Sequence, residues 1–137
     1  SHVFIWLVTI FCSIYFQSWL PVLFIVLPNF YGKTLVMLMG LTQHAGLQED
    51  VKDHRLTTRT VYLNPVFSFL YWHMEYHVEH HMFPQVPSHN LKKLHALIKD
   101  QMPPARKGLW GAYKEIIPAL LKQAKDPNYK ISLALPN

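Results

Sequence analysis

Charge is nearly absent from the first third of the chain. Residues 3–41 contain one lysine, Lys33, and no arginine, aspartate, glutamate or histidine. A stretch of that length without charges does not form the polar surface of an ordinary soluble domain, so we expect it to lie in a membrane. Cysteine is equally scarce. Cys12 is the only one, which excludes both an internal disulfide framework and a cysteine-based zinc site.

The usual signals of a protein start are also lacking. Ser1-His2 leads at once into apolar sequence, with no initiator methionine, no basic start and no small-residue cleavage site. We therefore expect the chain to be part of a longer protein.

The positive charges that are present lie almost entirely beyond the apolar segment. Twelve of the 13 lysines and arginines follow residue 44. This asymmetry matches the positive-inside rule and predicts that residues 44–137 are cytoplasmic, with Lys92, Lys93 and Lys99 favouring contact with anionic lipid headgroups. The net charge of +5 is not accompanied by a nucleic-acid recognition motif, so nucleic acid is not an expected partner.

Residues 1–43 are predicted to form two membrane-spanning helical passes. Val3–Leu27 is long enough for the first pass, with a proline kink or a break into a helix and an interfacial piece. Pro28–Gly32 has the composition of a turn. Thr34–Thr42 then runs back through the membrane. A hydrophobic helical hairpin in the core of a soluble protein is the alternative.

The rest of the chain, residues 44–137, is predicted to be a helical region at or beyond the membrane surface, which makes the fold all-α. Gln43–Thr60 is polar. Val61–Trp72 is too short to span, so an interfacial or re-entrant helix beginning near Pro65 fits best, leading directly into a histidine cluster. Two further helices are predicted over Ser88–Lys99 and Leu109–Lys125, followed by a loose tail.

Three imidazoles fall within five residues, His77-Val78-Glu79-His80-His81. On a helix, His80 lies about 60° to one side of His77 and His81 about 40° to the other, and His73 joins the same arc. Imidazoles in a core each need a partner for their ring nitrogens, which a metal provides. Imidazole ligands suit iron, zinc or copper. The order is not His-Glu-x-x-His, so a zinc peptidase helix is not matched.

A fourth histidine, His44, lies where the second predicted pass leaves the membrane. An ionisable residue at such a position is a functional candidate, and we expect it at the same depth as the histidine face. The other internal histidines, His54, His89 and His95, belong to no pattern, and surface or packing roles are expected for them.

Glu79 is predicted to stay out of the metal's ligand set. It lies about 200° from His77, on the opposite face of an ideal helix, together with Glu75. Arg55 and Arg59 have the complementary spacing, so an ion-pair network around the site is one interpretation and solvated charges are the other. Residues that could support the ligands without binding metal are His73, Arg55, Arg59 and Glu79.

These motifs together resemble the C-terminal half of a membrane-bound fatty acid desaturase. The likeness rests on Gln43–Leu47, on Thr58–Thr60, and on Tyr76–His81 followed by Phe83-Pro84. Members of this family are helical integral membrane enzymes with a non-haem di-iron centre held by histidines. They use O₂ and two electrons from a ferredoxin or a cytochrome b5 chain to desaturate an acyl chain in a membrane lipid or fatty acid.

The resemblance implies that two iron ions are bound, with His77, His80 and His81 as third-box ligands and His44 as an additional one. The first two histidine boxes of the family are not in this sequence, so the 137 residues alone are expected to be inactive. His73 stands where many relatives carry asparagine, and Gly40 stands where some hold a water-linked asparagine. A related di-iron hydroxylase or ketolase and a non-enzymatic metal-binding membrane protein are the alternatives.

Overall fold

A computed structural model describes residues 2–136, and its regular structure is almost entirely helical. About 62% of the sequence is helical, with seven α-helices among the described residues, which confirms the prediction of a helical fold. The chain divides after Leu38 into two compact units.

The first unit begins with α1 (His2–Tyr15). This helix stops because Gln17 takes up the left-handed region at φ 47°, which α-helical backbone does not use. A π-helical turn follows over Val22–Val26, and the ring of Trp6 on α1 stacks on that of Phe30, with centroids 6.0 Å apart. The break, rather than a single kinked helix, is therefore what interrupts the first apolar run.

The predicted turn at Pro28–Gly32 is wrong, because α2 (Pro28–His44) begins there. Proline suits the first position of a helix, where its missing N–H would have no partner in any case. Within residues 2–136, the helical stretch Val22–His44 is the one that is long and apolar enough to cross a membrane, at 23 residues and a mean hydropathy of 1.7. At 14 residues, α1 is apolar but shorter.

The second unit contains the short elements that carry the polar sequence. Its helices are α3 (His54–Thr57), α4 (Pro65–Leu70), α5 (His77–Met82), α6 (Leu91–Ile98) and α7 (Gly108–Gln123). Strands β1 (Val61–Tyr62) and β2 (Arg106–Lys107) pair in parallel over two residues each. The predicted start at Pro65 is confirmed, and the side chain of Asn64 accepts the Phe67 N–H at 2.9 Å as the helix cap.

A small apolar core joins β1 to α7. Val61, Ala112 and Ile116 are buried together, with Ala45 packed against them. From residue 124 to residue 136 the tail has no helix or strand, as predicted, but it is anchored where the Ile131 N–H donates to the Gly46 carbonyl at 2.8 Å. The core thus holds the residues that follow α2 against β1 and α7.

The chain between α4 and α5 is not helical, so the prediction of a helix running directly into the histidine cluster is wrong. Helix α4 ends at Leu70, and both Trp72 and His73 lie in the left-handed region, at φ 56° and 57°. Helix α5 then starts afresh at His77. His73 therefore does not share an arc with His77, and the helical extrapolation that placed it there fails.

Candidate metal centre

Three histidines from two distant parts of the sequence converge in the second unit. His44 Nε2 lies 2.9 Å from His77 Nε2, and His81 Nε2 lies 3.1 Å from the same atom. One ligand nitrogen from each ring can be chosen so that all three lie within 4.8 Å of one another. Residues 33 positions apart are thus brought to a single point.

The local structure explains why these rings meet. His77 and His81 are four residues apart on α5, so their side chains project from the same face. His44 is the last residue of α2, and its Nδ1 lies 3.2 Å from the Thr57 carbonyl oxygen. When Nδ1 carries the proton and donates it to that oxygen, Nε2 keeps its lone pair and faces the other two rings.

Burial keeps the central ring neutral. His77 is 8% exposed, and burial together with the neighbouring His44, His81 and His80 lowers its pKa to about 3. Burial and nearby imidazoles also lower the pKa of His81. Neutral imidazole is the form that binds metals, so these rings compete weakly for protons at physiological pH.

The donor set fits a metal ion better than it fits a hydrogen-bonded cluster. An imidazole Nε2 carries either one hydrogen or one lone pair, so His77 Nε2 can make only one of its two short N···N contacts as a hydrogen bond. Two nitrogens bound at about 2.1 Å to one ion, with a right angle between the bonds, lie about 3.0 Å apart. The observed 2.9 and 3.1 Å match that spacing.

The structure places the fourth predicted ligand, His80, beside this triad rather than in it. Its ring centroid lies 5.8 Å from that of His77 and 5.9 Å from that of His81. His54, for which no partner was predicted, lies 5.3 Å from the His81 ring, centroid to centroid. An open cleft lined by His44, His54 and His81 leads outward past Glu49 and Asp50. Solvent or another part of the protein can reach the triad from that side.

Glu79 points away from the triad, as its position on the helix predicted, but its surroundings were not foreseen. It is fully buried, accepts a hydrogen bond from the Thr60 hydroxyl at 2.7 Å, and lies 2.5 Å from Nδ1 of His95. His95 also contacts Tyr62, whose hydroxyl lies 2.7 Å from His95 Nε2. His95 therefore does more than pack. The apolar positions of α6 around it indicated a helix, but nothing in the sequence indicated its polar partners.

Neither interpretation of Glu75 and Glu79 holds, because both side chains are buried and each arginine has another partner. Arg55 pairs with Asp53 at 2.8 Å, two residues away. Arg59 is 3% exposed and lies 3.5 Å from Glu115 on α7, a residue too distant in sequence for a spacing argument.

Arg59 also acts on the end of α2. Its guanidinium donates to the Thr42 carbonyl at 2.8 Å and, at 3.4 Å, to that of Ala45. These carbonyls flank His44 and belong to the helix end, where backbone acceptors lack partners within the helix and a cation is favourable. Arg59 therefore holds the segment that carries one of the three histidines.

His73 and Glu75 form a separate cluster around Ser68. The Ser68 hydroxyl lies 2.8 Å from His73 Nδ1 and donates a short hydrogen bond to the Glu75 carboxylate. Gln43 reaches the same turn, donating from its side-chain amide to the Met74 carbonyl at 2.9 Å. The turn before α5 is thus tied to α2 one residue before His44.

Within residues 2–136, the structure combines one apolar helix long enough to cross a membrane with three histidines that could hold a metal ion. The sequence model of the fatty acid desaturase family matches residues 1–113, which is most of the chain. The chain belongs to the fatty acid desaturase family, and the resemblance inferred from its motifs is confirmed. No curated protein and no solved structure matches it.

Proposed function

We propose that this chain is part of an O₂-dependent desaturase that introduces a carbon–carbon double bond into the acyl chain of a lipid or fatty acid. The observation that carries the proposal is the convergence of His44, His77 and His81 in a member of this family. Desaturation removes two hydrogen atoms from adjacent methylene groups. Two electrons and two protons from outside then complete the reduction of O₂ to two molecules of water.

In this proposal His44, His77 and His81 hold one iron, and His80 is a further ligand of a di-iron centre. Iron supplies the O₂ activation that no amino-acid side chain provides. The protein's own part is to present neutral imidazoles in a fixed arrangement. The Thr57 carbonyl orients the His44 ring, and the burial of His77 keeps its proton off and water away.

The remaining partners follow from the reaction. The substrate is an acyl chain in the membrane, and the electrons come from a separate ferredoxin or cytochrome b5-type protein.

We propose that the helical stretch Val22–His44 spans the bilayer and that the histidines and the basic C-terminal part face the cytoplasm. This orientation is supported by the excess of lysine and arginine beyond residue 44.

Product analysis tests the reaction. Cells that express the complete protein carrying this chain are expected to accumulate acyl chains with one additional double bond and no additional oxygen. The substitution His81→Ala should abolish the product, whereas His89→Ala, an exposed histidine on a 3₁₀ turn, should leave it unchanged. A hydroxylated or keto product would instead assign the site to a related oxygenase. Full product from His81→Ala would remove the triad from the reaction.

A further inference from the structure

A hydrogen-bonded chain in the second unit runs from the surface to the interior, and the proposed iron chemistry does not use it. It consists of Tyr62 on β1, His95 on α6 and Glu79 on α5, joined by contacts of 2.7 and 2.5 Å. Exposure falls along it from 40% at Tyr62 to 7% at His95 and 0% at Glu79. Such a buried polar chain rigidifies its surroundings only if every group in it is satisfied.

The hydrogen bonds from Tyr62 through His95 to Glu79 can all point toward the carboxylate. The Glu79 carboxylate can only accept, and it receives the Thr60 hydroxyl on one oxygen and His95 Nδ1–H on the other. In the neutral imidazole, Nε2 therefore offers its lone pair to the Tyr62 hydroxyl. Burial and the charge of Glu79 raise the pKa of Tyr62, so its phenol carries a proton to donate.

We propose that Tyr62 is a redox-active tyrosine whose proton is taken by His95, with Glu79 as the counter-charge. In the oxidation, the phenol O–H bond breaks, the proton forms an N–H bond at His95 Nε2, and one electron leaves to an oxidant. The products are a neutral phenoxyl radical and an imidazolium. The imidazolium remains paired with the Glu79 carboxylate, so the interior gains no isolated charge. Reduction by one electron returns the proton and restores the phenol.

Aromatic side chains connect Tyr62 to the histidine cluster. The ring of Tyr76, which is 7% exposed, lies 6.4 Å from that of Tyr62, centroid to centroid. Tyr76 directly precedes His77 in the sequence. A partly exposed tyrosine thus lies beside a buried tyrosine that immediately precedes a proposed metal ligand in the sequence.

The role assigned to Tyr62 rests on the proposed function, since the iron centre is the source of the oxidant. Iron bound there would supply a one-electron oxidant whenever O₂ reacted with no acyl chain in place. Tyr62 passes this oxidising equivalent to the surface, where a thiol or ascorbate-type reductant in solution supplies one electron. The site would thereby protect its own histidines from oxidation.

Flash oxidation tests the assignment directly. The probe is ruthenium tris(bipyridine), which light converts to a one-electron oxidant. It is mixed with the purified complete protein, first as isolated and then after iron has been removed by chelation. We expect a phenoxyl radical, seen by transient absorption and by electron paramagnetic resonance, that is lost in Tyr62→Phe. The control Tyr129→Phe should keep it, because the Tyr129 ring lies 4.9 Å from the Lys122 ammonium, a cation that accepts no proton.

The base is tested separately from the tyrosine. His95→Gln should slow radical formation at least about tenfold and abolish its dependence on H₂O versus D₂O, since a positioned base contributes about that much or more to proton transfer. Tyr62→Phe removes only a hydroxyl group from a partly exposed ring, so its fold is retained. Circular dichroism establishes whether the His95→Gln protein is folded.

Two results would overturn the proposal: an unchanged radical yield in Tyr62→Phe, or an unchanged rate in folded His95→Gln. Because an external oxidant generates the radical, failure of the Tyr62 proposal can be told apart from failure of the proposed function. If the protein binds no iron but forms this radical, the desaturase proposal fails and Tyr62 is still a redox-active tyrosine. If the protein is an active desaturase that does not form the radical, the Tyr62 proposal fails and the desaturase proposal stands.

Discussion

Arg59 offers a quantitative test of how the structure holds His44 in place. The substitution Arg59→Ala removes a guanidinium that is buried between the end of α2 and α7. It leaves the Thr42 carbonyl without its charged donor, two residues before His44. We therefore expect both the stability of the second unit and the geometry of the histidine triad to change.

The magnitude follows from the contacts that are lost. A hydrogen bond to a charged group contributes about 1.5–3 kcal/mol, and breaking a buried ion pair costs about 3–5 kcal/mol. Glu115 keeps its other partner, Arg106, at 2.6 Å, so the loss lies near the lower end. We predict that Arg59→Ala lowers the free energy of unfolding by about 3 kcal/mol. Metal affinity should fall about 10- to 100-fold, as when the support of a metal ligand is removed.

Equilibrium unfolding in detergent micelles and titration with cobalt(II) as an iron substitute measure the two effects. The matched control is Arg55→Ala, because its ion pair with Asp53 is partly exposed and screened by solvent, so its loss should leave both quantities close to wild type. Arg59→Lys should not restore the wild type, since one ammonium cannot reproduce the planar array of donors. Wild-type stability and metal affinity in Arg59→Ala would refute the reasoning.

Three further predictions concern the backbone, the helix cap and the central histidine. Gly46→Ala should destabilise the protein by at least about 1 kcal/mol, because Gly46 has φ 78° and a new Cβ would lie 2.9 Å from the Ile131 side chain. Gly111→Ala, where α7 leaves the space open, should instead be neutral or stabilising, and thermal unfolding that ranks the two the other way would contradict the packing of the tail. Asn64→Ala should cost about 1 kcal/mol in the same assay by removing the cap of α4, and no change would mean that the cap is unimportant. Because the pKa of His77 is lowered from 6.5 to about 3, the unfolded ring binds a proton in that pH range and the folded ring does not. The free energy of unfolding of the iron-free protein should thus fall as the pH drops through this range, and His77→Gln should reduce that slope. An equal slope in both proteins would argue against a buried, neutral His77.

The three converging histidines could be selected from the sequence because two of them obey helical spacing. His77 and His81 are four residues apart, and any helix over them puts their rings together. His44 was found through its place at the end of an apolar run, and both inferences needed only local patterns. His73 shows the limit of the same method. The helix does not extend back to it, because the backbone at residues 72 and 73 turns into the left-handed region.

Partners distant in sequence were the part that spacing could not supply. Glu115 on α7 and His95 on α6 are brought to Arg59 and Glu79 by the packing of the whole second unit. Spacing suggested pairs of Glu75 and Glu79 with Arg55 and Arg59, and the packing of α6 and α7 gives Glu79 and Arg59 other partners. The turn misplaced at residues 28–32 has a similar origin. Proline and glycine are compatible with both a turn and the first turns of a helix, and the structure has the helix.

Iron K-edge X-ray absorption on the purified complete protein, with the metal content measured in parallel, tests whether His44, His77 and His81 bind iron. We expect bound iron, coordination dominated by nitrogen and the outer-shell scattering of imidazole rings. His81→Ala should lose iron and imidazole scattering, while His89→Ala should retain both. Zinc in place of iron, or an iron environment unchanged by His81→Ala, would contradict the assignment of His44, His77 and His81 as ligands.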